Sequence, residues 1–584
     1  MYKPFLDKTD SRNDLISTFG GYVNKTIIPE NCFASQQNMS LRRFPALSPR
    51  SKRAYSDSAK GYFYGLFSKE KLCYIRDGYL YIGGEKILEP YFGQSSDERV
   101  FVSMGSRLVI FPDKVYINTK DFSDFGYLEA EFTASGAECR LCSANGEAYD
   151  SYLPSATEPQ DPQNGDLWLD ISGEAPVLKQ FSESMGSWLE LSGTRVKIIC
   201  PGIGTQFKLH DGVTLSGFEK AGISGDYIIK DIGPEFITIT AAVSSTITIT
   251  DEFTVARRVP DMDFVCESNN RLWGCSSEKN EIYASRLGDP TNFSAYEGIS
   301  TDSFAVSVGT DGEFTACTPY RGYVLFFKEN CVHKIYGQNP PYTVTTSYIR
   351  GVEKTSTKSL VRLNETLYYK SPTGVCAYEG GVPVDVGSDL GECRYTRAVA
   401  GAVGNRYYVC MSDNRGERHL FCFDEERAMW TREDNVDISH FAVNDSNLYF
   451  VERHNEYHRI GIIDSDNMYG YFSGELKGFE IEDKLKWSFK TGLWGLDLPV
   501  NKYYNSFTIR GKGEKGSWLK VSYSINSSED FVECAKEYLD ETGSFNIRIN
   551  SPRCDHVQFA FEGEGDVTIF SIMRNIGVGS EVYV

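Results

Sequence analysis

Four short stretches place chemically capable side chains at suggestive spacing. Cys139-Arg140-Leu141-Cys142 is a single CxxC. A zinc site built on it needs a second ligand pair, for which Cys200 and His210 are the nearest candidates, and a redox site needs a βαβ setting that an alternating strand pattern does not supply. His454-Asn455-Glu456-Tyr457-His458 puts two imidazoles four apart, as a zinc-peptidase helix does, but with the glutamate at another offset and inside hairpin-like sequence. On an extended strand such residues lie about 13 Å apart, too far to share an ion. Asp464-Ser465-Asp466-Asn467 spaces carboxylates like a calcium loop but lacks the glycine and the distal glutamate that close one. The 80 acidic residues provide carboxylate pairs for glycoside hydrolysis without singling one out. No phosphate-binding or nucleophile-elbow motif stands in a strand–helix context. The chemistry expected from motifs is therefore none: no catalytic, cofactor-binding or metal-binding residue, and no enzymatic activity.

The fourth stretch is basic. Arg42, Arg43, Arg50, Lys52 and Arg53 fall within twelve residues of a chain whose net charge is −20 and whose pI is near 5.0. This is the expected docking segment for an acidic neighbour or for nucleic acid. The alternatives are a solvated loop or one paired with acidic propeller loops. The acidic balance argues against tight, free-standing DNA binding.

The elements that must position these residues are strands. The chain has 584 residues with 36 Tyr, 36 Phe and 53 Gly, and it lacks long apolar stretches of helical period. Aromatic strands flanked by turns are centred on Leu72, Leu108, Leu272, Val324, Leu367, Tyr407 and Leu448, at gaps of 36, 164, 52, 43, 40 and 41. A period near forty with several strands per unit predicts propeller blades, and seven centres predict about seven of them. The long gap holds roughly one blade period plus about 120 inserted residues. The expected fold is all-β: residues 1–55 an extended N-terminal arm, 56–122 the first part of the propeller, 123–258 an inserted β domain, 259–472 the second part of the propeller, and 473–584 a C-terminal β-sandwich. A single large two-sheet sandwich is the alternative. The 15 cysteines, an odd number, sit mostly inside strand patterns and read as free buried thiols. No apolar run is long enough for a membrane span, and the N-terminus has no apolar signal core. With no chemistry on the disc, function is expected on the arm, the insertion and the sandwich.

Three stretches carry a resemblance. They are Phe19-Gly20-Gly21-Tyr22-Val23-Asn24 with Asn38 to Arg50 in the arm; Arg271-Leu272-Trp273-Gly274, Leu287 to Phe293 and Phe326 to Gly337 in the propeller; and Ser551-Pro552-Arg553-Cys554-Asp555-His556 near the end. Together these are similar to tailed-phage virion proteins and resemble the β-propeller nozzle, or packaged-DNA-stabilisation, component of the head–tail connector. The resemblance implies a structural protein without catalysis or cofactor. It implies a homo-oligomer, typically a hexameric ring, closed by cyclic symmetry beneath the portal and adaptor. Such a ring continues the DNA channel, passes phage DNA without sequence-specific binding, retains packaged DNA and anchors tail fibres. It implies synthesis in a bacterial cytoplasm and residence in the virion tail. The alternative is a receptor- or carbohydrate-binding tail-tip protein whose sandwich and insertion are the lectin parts. A propeller enzyme acting on polysaccharide is the third reading.

Overall fold

A computed structural model describes residues 10–93, 98–149, 151–173, 176–455, 457–463, 479–549 and 551–578. The chain is all-β, a propeller interrupted by a β-rich insertion and followed by a β-sandwich. Among the described residues the helical segments are three short 3₁₀ turns, and no helix is long and apolar enough to cross a membrane. The chain divides into two compact units, one formed by residues up to 98, 328–331 and 348 onward, the other by 99–327 and 332–347.

Seven sheets of blade type follow the spacing of the aromatic strands. Their second strands are Lys71–Arg76, Arg107–Phe111, Arg271–Ser276, Tyr323–Lys328, Thr366–Lys370, Arg406–Ser412 and Asn447–Arg453, each containing one of the seven expected centres. In the first unit lie blades one, five, six and seven. The second strand of blade six shows why such strands read as continuous apolar runs. Tyr407, Val409 and Met411 pack toward blade five with Tyr368 and Val375, while Tyr408 and Cys410 pack toward blade seven with Leu448 and Phe450. Alternate side chains point to opposite faces, and both faces are covered. The next interface repeats the pattern: Tyr449, Val451, Ile460 and Ile462 of blade seven meet Phe63, Leu66, Leu72 and Tyr74 of blade one. In blade one, Asp77-Gly78 joins Lys71–Arg76 to Tyr79–Ile82 with both residues at positive φ, the turn its sequence calls for.

The N-terminal residues do not form an extended arm. Asp10–Ile16 pairs with Val567–Val578 and Phe33–Gln37 with Lys486–Thr491, one in each sheet of the sandwich. Ala54–Gly61 pairs with His458–Ile463 and so completes blade seven. Between these strands, Gly21 lies so close to the last strand of blade six that a Cβ there would fall 2.3 Å from the carbonyl oxygen of Trp430. The amide of Tyr22 donates to that carbonyl at 2.6 Å. The sandwich proper has a four-stranded and a five-stranded sheet, with Trp494, Phe507, Phe559 and Phe561 among its fully covered side chains.

In the second unit the insertion is a closed six-stranded barrel running from Ala130–Cys142 to Ile247–Arg257, with a small four-stranded sheet between Leu153 and Glu190. Residues 123–127, expected inside the insertion, belong to the fourth strand of blade two, Asp121–Tyr127. The barrel is locked to blade three by polar contacts. Asn292 donates to the His210 carbonyl at 2.7 Å and Arg286 to the same carbonyl at 3.3 Å, while the buried pair of Arg257 and Asp211 at 2.6 Å holds the barrel itself.

Trp430 concentrates the packing of blade six. It is 1% exposed, meets Phe421 edge-on and Phe423 at a tilt, and donates from Nε1 to the Val386 carbonyl at 2.7 Å. Trp430→Ala is expected to cost about 3–5 kcal/mol, measured as a lowered urea midpoint with the denaturant slope unchanged.

Candidate functional site

The basic patch is the first candidate to place. Arg53 is 1% exposed, and its guanidinium grips Glu433 at 2.6 Å and Asp434 at 2.9 Å. Arg50, also buried, donates to Glu482 at 2.7 Å and to Asn38 at 2.8 Å. Arg42 and Arg43 both reach Asp566 on the sandwich, Arg43 with two parallel bonds. Lys52 is half-buried. The four arginines are thus committed inside their own unit, to the carboxylates Glu433, Asp434 and Glu482 and to Asp566 of the sandwich. Burial alone would raise all three carboxyls of the inner cluster. The arginines overcome it at Asp434 and Glu482, which sit below the usual carboxylate range, but not at Glu433, which is raised. Arg53→Ala leaves these charges uncompensated and is expected to cost about 3–5 kcal/mol, whereas Arg43→Ala at the surface should cost at most about 1 kcal/mol. Parallel chemical unfolding of the two variants checks the contrast.

The cysteine and histidine motifs do not assemble ligand sets. Cys139 and Cys142 are buried on one barrel strand, three apart and so on opposite faces, and burial pushes the Cys139 thiol up to about 12. His454 and His458 flank a hairpin turn, as expected, and have separate partners: Glu452 for His454 and the Phe63 amide for His458. Glu456, the calcium-like stretch Asp464 to Asn467 and the expected end of the propeller near Phe472 lie outside the described residues. Among the described residues one group has metal-ligand spacing: Asp413, Glu417 and His419, whose ligand atoms fall within 4.8 Å of one another. Its histidine is satisfied without an ion. Arg432 lies 3.0 Å from Nδ1, and Nε2 lies 3.1 Å from Asp413.

A constellation absent from the sequence motifs lies on the propeller itself. The first strands of adjacent blades pack against one another, and in blades six and seven each carries a bulge at its start. The register breaks between Thr396 and Val399 in one and between Ile438 and His440 in the other. Val399 and His440 each stand eight residues before their second-strand centre, Tyr407 or Leu448. A bulge turns residues out of the ladder and re-aims their side chains. Here Arg397 adopts a φ of 50° and Ser439 is the extra residue. Together with the 3₁₀ turn Lys354–Ser359 and with Glu98, these strands enclose a cavity of about 420 Å³.

The charges around this cavity are unequal. Among the described residues Lys354, Lys358, Arg397, Arg418 and Arg453 line it against Glu98 and Asp437, five cations to two carboxylates, a formal excess of three positive charges. Lys358 is in ion-pair contact with Glu98 and donates to the Ser439 carbonyl at 2.9 Å. Buried His440 places Nε2 2.8 Å from the same Glu98 oxygen, with Nδ1 3.0 Å from the Ser439 hydroxyl. Arg418 pairs with Asp437 at 3.0 Å. The exposed guanidiniums of Arg397 and Arg453 have no carboxylate partner among the described residues. Thr355, Thr357, Ser412 and Ser439 add hydroxyls, and among the described residues no aromatic ring lines the space.

Burial would raise the Glu98 carboxyl, but the His440 hydrogen bond and the Lys358 charge hold it at about 2. Burial, then Lys358, lowers His440 to about 4, so the imidazole is neutral at pH 7 and donates from Nε2 to Glu98. Burial also lowers Lys358. The sign of the pH dependence follows from the depressed His440. Its contribution is complete above the ordinary value of 6.5 and is lost as pH falls through about 4, because only the unfolded chain accepts the proton in that window. Glu98 acts in the same direction, between 4.5 and about 2. Between pH 7 and pH 4 wild-type stability should fall by up to about 3 kcal/mol from His440, and His440→Gln should flatten that slope in urea midpoints taken at each pH.

No family model matches the chain, and no curated protein does. Solved structures with a similar fold include an exo-β-1,3-galactanase from Phanerochaete chrysosporium with galactose, at 11% identity and a TM-score of 0.21, covering 52% of this chain and 92% of that one. They also include a GH43 glycoside hydrolase displaying both endo-xylanase and exo-arabinofuranosidase activity, at 9% identity and a TM-score of 0.20, covering 54% and 97%. At these values the likeness concerns fold alone. These structures are glycoside hydrolases; the virion nozzle ring and the absence of enzymatic activity, both expected from the sequence, find no support among them, and neither expectation is kept.

Proposed function

We propose that this chain is a carbohydrate-directed protein and that the cavity beside Glu98 receives the saccharide. The observation that carries the reading is the lining. Ligand sites of about 300–1,000 Å³ with convergent polar groups and shifted titratable residues are the ordinary form of a small-molecule site. This one combines 420 Å³ with hydroxyls, guanidiniums and two carboxylates. A polyhydroxylated ligand needs that density of donors and acceptors, because each of its hydroxyls loses water on entering. The inner-strand bulges fix the side chains on a rigid scaffold, which limits the entropy lost on binding.

Glu98 and Asp437 in one cavity also favour a second reading, hydrolysis of a glycosidic bond, for which a pair of carboxylates is the usual requirement. Glu98, held ionised, suits the role of base, nucleophile or charge stabiliser.

A glycan array probed with the intact chain tests binding. Thr355 is exposed at the cavity wall, and Thr355→Trp fills the space. Saccharide binding that Thr355→Trp reduces at least tenfold is expected. Binding to no saccharide, or binding that the tryptophan leaves untouched, sinks the assignment. Reducing-sugar release from the bound glycans, lost in Glu98→Gln while binding persists, is the outcome expected of the hydrolytic reading.

A further inference from the structure

Resting on that reading, we infer that the saccharide is acidic, carrying a carboxylate or sulfate group that Arg397 and Arg453 receive. Three observations lead there. Among the described residues the cavity lining holds three more positive than negative charges in a chain whose net charge is −20, a local reversal of sign. Two of its cations are spent on the protein's own carboxylates, Lys358 on Glu98 and Arg418 on Asp437, while Arg397 and Arg453 have none among the described residues. Arg397 is moreover held at a φ of 50° within a bulge, a conformation that costs a non-glycine residue free energy and that aims this side chain out of the sheet.

The chemistry of the pair narrows the ligand. A guanidinium presents parallel N–H donors that match the two oxygens of a carboxylate or sulfate, and such charge-assisted bonds are about twice as strong as neutral ones. Among the described residues no aromatic ring lines the cavity, so they offer none of the stacking on which a neutral pyranose face relies. The hydroxyls of Thr355 and Ser412 remain for the sugar ring.

The test uses the intact chain on an array of matched glycan pairs that differ only in a carboxylate or sulfate, with inorganic sulfate alone as competitor. The acidic member of at least one pair is expected to bind tenfold or more tightly, with the preference weakening as salt rises. Arg397→Gln combined with Arg453→Gln should erase that preference, and Arg397→Lys with Arg453→Lys should restore part of it, which separates lost charge from lost folding. If neutral members bind as tightly as acidic ones, the inference falls while the saccharide reading stands. If inorganic sulfate competes as strongly as the acidic glycans, the sugar is not recognised and the inference falls. If no saccharide binds, both fall.

Discussion

The buried contact of Arg50 and Arg53 with Glu433, Asp434 and Glu482 is the constraint on which the first unit depends. It joins three segments far apart in the chain: the N-terminal stretch, the link between blades six and seven, and the start of the sandwich. Hydrophobic pairing alone tolerates a slip of two residues along a strand, since the same side chains still face the core. A guanidinium gripping two adjacent carboxylates does not tolerate it. The strand Ala54–Gly61 begins at the residue after Arg53, and Ala54 pairs with Ile481, the residue before Glu482. The Arg53 amide donates to the Glu482 carboxylate, and the Glu482 amide returns a bond to the Arg53 carbonyl. One polar node therefore sets the register of the strand that completes blade seven and the point where the chain enters the sandwich.

That fixed register lets the inner strands do something other than pack. Close approach between blades six and seven is secured by Gly401, where a Cβ would fall 2.6 Å from Phe441, while Ala398, Ala400 and Ala402 face the other way, into the packing with blade five. The bulges lie at the beginning of the same strands, where the ladder is interrupted and side chains are released from the interface. Charged residues tolerated there would be costly one turn of the pleat further in. Glu98, Lys358 and His440 answer this cost together: each satisfies another, so a carboxylate stays ionised and an imidazole neutral in a partly closed space.

How much of this is legible in the sequence depends on whether the partner is local. The seven second strands are read correctly because both of their faces are buried and their hairpin partners follow within a few residues. Asp121–Tyr127 escapes because it is an outer, mostly exposed strand with no apolar alternation. Asp10–Ile16 escapes because its sequence, Asp-Ser-Arg-Asn-Asp-Leu-Ile, carries no strand signal and its partner lies at Ile572–Val578. The basic patch reads as a docking segment for the same reason: the carboxylates that neutralise it are about 380 to 520 residues away, and charge counted along a chain says nothing of charge opposed in space. The cavity is the extreme case. Glu98, Lys358 and His440 belong to three different places in the repeat, and His440 looks as isolated as any other histidine of the chain. Only the alignment of Val399 with His440, eight residues before their strand centres, hints that the modules share an irregularity there.

The reversal of sign at the cavity also bears on how an acidic ligand would reach it. At physiological ionic strength the field of a charge is screened within about 8 Å, so a net charge of −20 spread over 584 residues gives an approaching anion weak repulsion and no steering. The cavity cations act only once the ligand is at its mouth, where low-dielectric walls strengthen their pull. Their contribution then falls on how long a ligand stays rather than on how often it arrives. The same short range protects the fold: five cations near two carboxylates repel one another, but the guanidiniums of Arg397 and Arg453 are exposed and the half-buried Lys358 is paired, so the excess charge is held at the surface of the cavity and not within the core.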